Sequence, residues 1–155
     1  MKEFLIKASN AGDIEATFEL GKLYLAEGNL EKGAELIEKA AAGNYTSAII
    51  QFAEMKMDAF DFETALQLFK KASRAGDVDA MEKAVDLCVG TDDRATLNEI
   101  AKIIQSYYND IYTTKNFLGR MMCFGSSKPY EYLNEYARAI ERRRIFNRIQ
   151  EMLNA

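Results

Sequence analysis

From Ile14 onward, apolar side chains recur at three- and four-residue steps, and glycine, asparagine or aspartate interrupts them at short intervals. Steps of that size gather side chains into one stripe of an α-helix. Ala16, Leu20, Leu23 and Tyr24 form such a stripe on a helix predicted from Ile14 to Glu27. Gly28-Asn29 ends it, as a glycine past a helix C-terminus does. Leu30, Gly33, Ile37 and Ala40/Ala41 form the stripe of a second helix, Leu30 to Ala42, ended by Gly43-Asn44. The pattern then predicts helices over Thr46 to Ala59, Asp61 to Ala75 and Val78 to Val89. A further one runs from Asp92 or Asp93 to about Tyr108, its stripe including Leu97, Ile100, Ala101 and Ile104. Asp61, three residues before Thr64, suits an N-cap. The fold class is all-α.

The helices come in pairs, and the pair is an internal repeat of 32 residues. Lys7-Ala8, Lys39-Ala40 and Lys71-Ala72 keep that spacing, and so do Ala16, Ala48 and Ala80. The ten residues from Lys7 to Ala16 return from Lys71 to Ala80 with seven identities. In the middle copy the glycine falls one residue earlier, at Gly43. Small residues share slots of the repeat: Gly21 with Ala53, Gly33 with Ala65, Ala40 with Ala72. Larger ones sit beside them, Leu20 with Phe52 and Ile37 with Phe69. A helix comes close to its neighbour only where a small side chain lies between them, so this alternation predicts antiparallel αα-hairpins stacked around a continuous core.

Leu20-Gly21-Lys22-Leu23-Tyr24 resembles the Leu-Gly-x-x-Tyr signature of tetratricopeptide repeats, and Ala65-Leu66-Gln67-Leu68-Phe69 their Ala-x-x-x-Phe signature. The Lys-Ala-Ser-x-x-Gly-Asp-x-x-Ala block is more similar to the related Sel-one-like repeats. The tryptophan slot holds Thr17, the inter-repeat proline is absent, and a period of 32 lacks the longer inter-helix loop of Sel-one-like repeats. The resemblance covers residues 7–104. It implies a right-handed superhelical solenoid with a concave face and a protein-binding role. Carried over position by position, the concave face would be lined by Glu15, Phe18, Lys22 and Leu25 in the first repeat and by Ser47, Ile50, Glu54 and Met57 in the second. Asp79, Glu82 and Asp86 would line it in the third. This face mixes apolar residues with acids that grow denser towards the third repeat, and a peptide with apolar anchors and basic residues would complement it.

Both ends depart from the repeat. Phe4, Leu5, Lys7 and Ala8 align with second-helix positions, and the first helix before them is missing. Residues 1–12 are therefore either a capping helix or the remainder of a truncated repeat. Residues 13–108 hold three hairpins, and 109–155 hold divergent C-terminal helices of the same single domain. Phe117-Leu118-Gly119-Arg120-Met121-Met122 loosely echoes the segment from Phe18 to Leu23, which predicts a degenerate fourth hairpin. Gly125-Ser126-Ser127-Lys128-Pro129 breaks the chain, and Pro129 suits the first turn of a last helix from about Tyr130 to Leu153. Its stripe of Leu133, Tyr136/Ala137 and Ile140 stops at Glu141-Arg142-Arg143-Arg144 and restarts out of phase at Ile145/Phe146, Ile149 and Met152/Leu153. One continuous helix would then carry two apolar faces pointing in different directions. Tyr132, Tyr136 and Arg142–Arg144 make a second candidate partner surface, since Tyr and Arg are favoured in binding hot spots. A second copy of the chain is one partner this helix would suit. The alternative is a partly buried cap with snorkelling arginines.

Composition narrows the function. The chain has 155 residues, enough to bury about 70% of its unfolded surface. It has no histidine, which removes imidazole acid–base work, His-based triads and His-ligated zinc. It also lacks a glycine-rich phosphate loop, and pairs such as Asp92-Asp93 or Asp77/Asp79 fall at helix starts, where capping accounts for them. No catalysis, cofactor or metal is expected. Cys88 and Cys123 read as reduced core residues, with a bridge or a reactive thiol as the alternative. Residues 1–90 hold 10 basic and 16 acidic side chains, residues 91–155 hold 10 basic and 8 acidic. That acidic front half speaks against nucleic acid as a partner. No signal peptide or membrane-length apolar run is visible, so the default location is the cytoplasm. The leading expectation is a non-enzymatic adaptor that binds a protein or peptide. A small phage- or pathogen-derived inhibitor of a host complex is the alternative.

Overall fold

The computed structural model describes residues 1–91, 93–113 and 129–155, with side chains at 93–107 and 138–155 in the last two stretches. Among the described residues the chain is helical throughout: α1 (Lys2–Asn10), α2 (Ile14–Ala26), α3 (Leu30–Ala42), α4 (Thr46–Asp58), α5 (Phe62–Arg74), α6 (Val78–Thr91), α7 (Arg94–Thr113) and α8 (Pro129–Asn154). It divides into two compact units, Met1–Ala75 and Gly76–Ala155. The sequence repeat passes through the α5–α6 turn as through any other, but the fold divides there.

In the first unit each helix packs against the next, from α1 to α5. The turns between them are three residues long, which forces neighbours antiparallel. Gly12, Gly28, Asn44, Phe60 and Gly76 all have φ between +60° and +93°, and each lies sixteen residues after the last. A thirteen-residue helix plus a three-residue turn is thus the backbone period. The sequence repeats only every second helix, because alternate helices bury different faces. Asn44, not Gly43, takes the left-handed position in the middle copy, in register with Gly12 and Gly76. Gly43 instead lies under Ile14, where a Cβ would meet Ile14 Cδ1 at 2.9 Å.

The residue after each left-handed position caps the next helix. Asp13 accepts from the N–H of Ala16 (2.9 Å), Asn29 from Lys32 (3.2 Å), Asp61 from Thr64 (3.2 Å) and Asp77 from Ala80 (2.8 Å). Each satisfies one of the donors a helix start leaves open. The fifth cap position is Tyr45, which makes no side-chain cap bond; its ring packs on Phe18 with centroids 5.3 Å apart.

The small-residue slots read from the repeat are all buried: Gly21, Ala53, Gly33, Ala65, Ala40 and Ala72. Of the larger side chains beside them, Leu20, Ile37 and Phe69 are buried and Phe52 is half-buried. The core of the second unit is built from Met81, Val85 and Cys88 on α6, Leu97, Ile100 and Ile104 on α7, and Ile145 and Ile149 on α8. Cys88 is a free, buried thiol, while Cys123 lies outside the described residues. Helix α7 continues to Thr113, past the predicted end at Tyr108. Pro129 opens α8, its missing N–H falling where a helix needs none. The predicted fourth hairpin around Phe117–Met122 lies outside the described residues.

Helix α8 packs on both α6 and α7. Arg94, at the start of α7, donates to the carbonyls of Met152 (3.2 Å) and Leu153 (2.8 Å) and so closes the C-terminal end of α8. Among the described residues no helix is long and apolar enough to cross a membrane.

Candidate functional site

The candidate residues fall on the first helices α2, α4 and α6 and on α8. On α2, Glu15 and Lys22 are exposed, and Lys22 pairs with Glu19 at 2.7 Å and lies 4.9 Å from the centroid of Phe18. Phe18 itself is buried between its own helix and Tyr45 at the start of α4. Leu25 turns towards α3 and fills the space above Gly33, where a Cβ would stand 2.5 Å from Leu25 Cδ2. Two of the four α2 candidates therefore serve packing first. On α4, Ser47 is exposed, and Ile50, Glu54 and Met57 are half-buried. Apolar surface and a carboxylate thus share one helix face at partial exposure.

In the second unit, Asp79, Glu82 and Asp86 are all exposed along α6. They are not equivalent. The Asp86 carboxylate accepts a hydrogen bond from Arg148 of α8 at 2.8 Å, so one acid of this row is already answered within the unit. Asp79 and Glu82 carry no such partner among the described residues.

On α8 the arginine run splits. Arg142 points inward: its guanidinium lies 4.5 Å from the centroid of Tyr107 on α7 and donates to the Gly76 carbonyl at 2.9 Å. It fastens α8 to the turn before α6, while its Nε is buried without an acceptor. Arg143 and Arg144 are exposed. With Ile140, Asn147, Arg148 and Glu151 they line a shallow open recess of about 480 Å³. Ile140 is 54% exposed, whereas Ile145 and Ile149 are buried; the side chains of Leu133 and Ala137, which share the first stripe, lie outside the described residues. The side chains of Tyr132 and Tyr136 lie outside the described residues.

Two contacts of the second unit escape the sequence pattern. Arg148 is one helical turn beyond Arg144, and the ion pair it makes depends on a helix 62 residues earlier. Tyr107 carries no signal in the sequence that its ring would receive Arg142. No family model matches the chain, no curated protein aligns with it, and no solved structure matches its fold.

Proposed function

We propose that this chain is a non-enzymatic, tetratricopeptide-like or Sel-one-like module that binds a peptide or protein partner in the cytoplasm. The observation that carries the reading is the outward face of the first helices. In the first unit, Ile50 and Met57 of α4 stand half-buried beside Glu54, and in the second unit, taken by itself, Asp79 and Glu82 of α6 are exposed. Apolar surface left partly open beside acids suits a segment with apolar anchors and basic side chains, which gains desolvation from the first and orientation from the second. Nucleic acid fits poorly, since the exposed groups on these helices are mainly carboxylates.

The test is affinity capture with the full chain from its native host, followed by identification of the captured protein and titration of the purified pair. Asp79→Lys with Glu82→Lys should weaken that pair by about tenfold or more at unchanged helicity. Asp86 is left intact, because its reversal would also repel Arg148 and disturb the unit itself. Binding that the double reversal leaves unchanged overturns the reading.

A further inference from the structure

We infer that the chain self-associates head to tail, the α2–α3 and α4–α5 turn end of its first unit docking on the arginine-bearing face of α8 of a second copy. This goes beyond the peptide-binding reading and uses different surfaces.

Helices of the first unit alternate in direction, so the α2–α3 and α4–α5 turns lie at the same end. The start of α1 lies there too, because Lys2 pairs with Glu27 and sits 4.3 Å from the centroid of Tyr24. This one end carries Met1, Phe4, Leu30, Phe60 and Phe62. They are five of the eight large apolar side chains exposed among the described residues. Scattered exposed apolar residues are ordinary, whereas a gathered set marks a contact surface.

Phe60 is the sharpest member. It is 81% exposed and holds φ at +60°, a conformation its repeat counterpart Gly28 adopts freely. A bulky residue is strained there, and neither burial nor turn geometry calls for it. Its ring meets that of Phe62 edge-on, with centroids 6.1 Å apart at 88°. Around these apolar groups stand Glu3, Glu31, Asp58 and Glu63, all exposed and none in an ion pair among the described residues, together with three lysines: Lys2 and Lys56, paired with Glu27 and Asp61, and Lys32, 4.7 Å from the centroid of Tyr24.

The chain also carries the complement. Ile140 is exposed on α8 between Arg138 and the Arg143-Arg144 pair. These three guanidiniums form no ion pair among the described residues, and Glu141 is the one carboxylate between them. The recess beside Ile140 is open and lined by Arg143, Arg144 and Arg148 together with Asn147 and Glu151. An apolar end where carboxylates outnumber lysines thus meets an apolar group where arginines outnumber carboxylates. Such a contact joins unlike surfaces, the heterologous kind that either closes into a ring or runs on from copy to copy.

Sedimentation of the full chain tests this from about 1 μM to about 1 mM, the range of weak polar interfaces. Association should rise with concentration. It should fall as ionic strength goes from about 0.1 M to about 1 M, which shortens the screening length from about 10 Å to about 3 Å. Glu31→Lys with Glu63→Lys, and separately Arg143→Glu with Arg144→Glu, should each weaken association about tenfold or more. Mixing the two variants should restore it, because each then offers the other a complementary face. Circular dichroism checks that each variant folds; if a reversal unfolds the chain, the neutral pairs E31Q/E63Q and R143Q/R144Q replace it, with a smaller loss expected. A monomer at every concentration overturns the proposal. So does association that neither reversal changes, or loss in both variants that mixing does not repair.

Discussion

Gly21 and Gly33 face one another across the α2–α3 hairpin. A methyl group on Gly21 would lie 3.2 Å from the Gly33 carbonyl oxygen, 2.9 Å from Ile37 Cγ1 and 3.2 Å from Leu36 Cβ. Ile37 is fully buried, and neither the carbonyl nor a Cβ can turn aside. Overpacking of this kind costs about 1–3 kcal/mol, and the better helix propensity of alanine returns up to about 1 kcal/mol. Gly21→Ala should therefore destabilise the first unit by about 1–2 kcal/mol in urea unfolding. The same slot in the next hairpin holds Ala53, fully buried, so the α4–α5 hairpin already accommodates the methyl that α2–α3 cannot.

Phe60 and Gly28 occupy the same turn position in successive repeats, at φ +60° and +83°. A left-handed conformation costs an ordinary residue about 1–2 kcal/mol, and asparagine bears it better than most. Phe60→Asn should raise stability by about 0.5–1 kcal/mol, read as a higher Tm at a protein concentration low enough to exclude association. Gly28→Ala should do the reverse by about 1 kcal/mol, although no neighbour lies within 4 Å of the added methyl. Equal Tm for both variants and the parent would remove strain as the explanation of this turn.

Arg142 joins three elements: the α8 helix that bears it, the Tyr107 ring 4.5 Å away, and the Gly76 carbonyl at 2.9 Å. A cation over a ring contributes about 0.5–2 kcal/mol and a charged hydrogen bond about 1.5–3 kcal/mol, against which stands the buried Nε without an acceptor. Arg142→Ala should cost about 2 kcal/mol and speed amide exchange along α8. Arg142→Met should cost less, since its stem still covers Tyr107, although like alanine it leaves the Gly76 carbonyl without this donor. Arg143→Ala, on the exposed side of the same helix, should change stability by under about 0.5 kcal/mol.

The reach of the sequence pattern is clearest on these same residues. Every helix of the first unit after α1 follows the apolar stripes and turn residues within one or two positions, because packing there is local and each hairpin buries what its own period presents. The left-handed period of sixteen is hidden because three residue types, Gly, Asn and Phe, fill its positions. Arg142 is hidden for a related reason. It precedes Ile145 by three residues and Ile149 by seven, so it belongs to their stripe, but a charged side chain does not register as part of an apolar pattern. The burial of Phe18 and the half-burial of Leu25 turn on a neighbouring tyrosine and a facing glycine, which no spacing along one helix reports.

Asp61 caps α5, and its carboxyl is held below the usual range, first by the Thr64 hydroxyl, then by the Thr64 N–H, with Lys56 adding to both. A group depressed in the folded state stabilises it fully above the unfolded pKa of about 3.9, and the contribution is lost as pH falls from there through the folded value. As pH drops from about 6 to about 3, across that unfolded value, the Tm of the parent should fall more steeply than that of Asp61→Asn. Asparagine keeps the cap bond and carries no titrating proton. Parallel Tm curves for the two proteins would show that the cap is not a source of acid sensitivity.

Ser9 and Thr17 share a 2.8 Å hydrogen bond in the buried interface of α1 and α2. The Thr17 hydroxyl donates to the Asp13 carbonyl at 2.7 Å, which leaves it to accept from Ser9. One repeat later the two slots hold Ala41 and Ile49, both buried, so the fold accepts an apolar pair in the same place. Removing one partner strands a buried hydroxyl, at about 1–3 kcal/mol, whereas replacing both by apolar groups of matching shape is nearly neutral. Thr17→Ile alone should therefore destabilise by about 1–3 kcal/mol, and Ser9→Ala alone by less, because Thr17 keeps its bond to Asp13. The double variant should recover to within about 1 kcal/mol of the parent. The coupling energy of that cycle should be of order 1 kcal/mol. Strictly additive losses would show that the two hydroxyls do not act as a pair and that the first repeat needs its polar contact where the second does not.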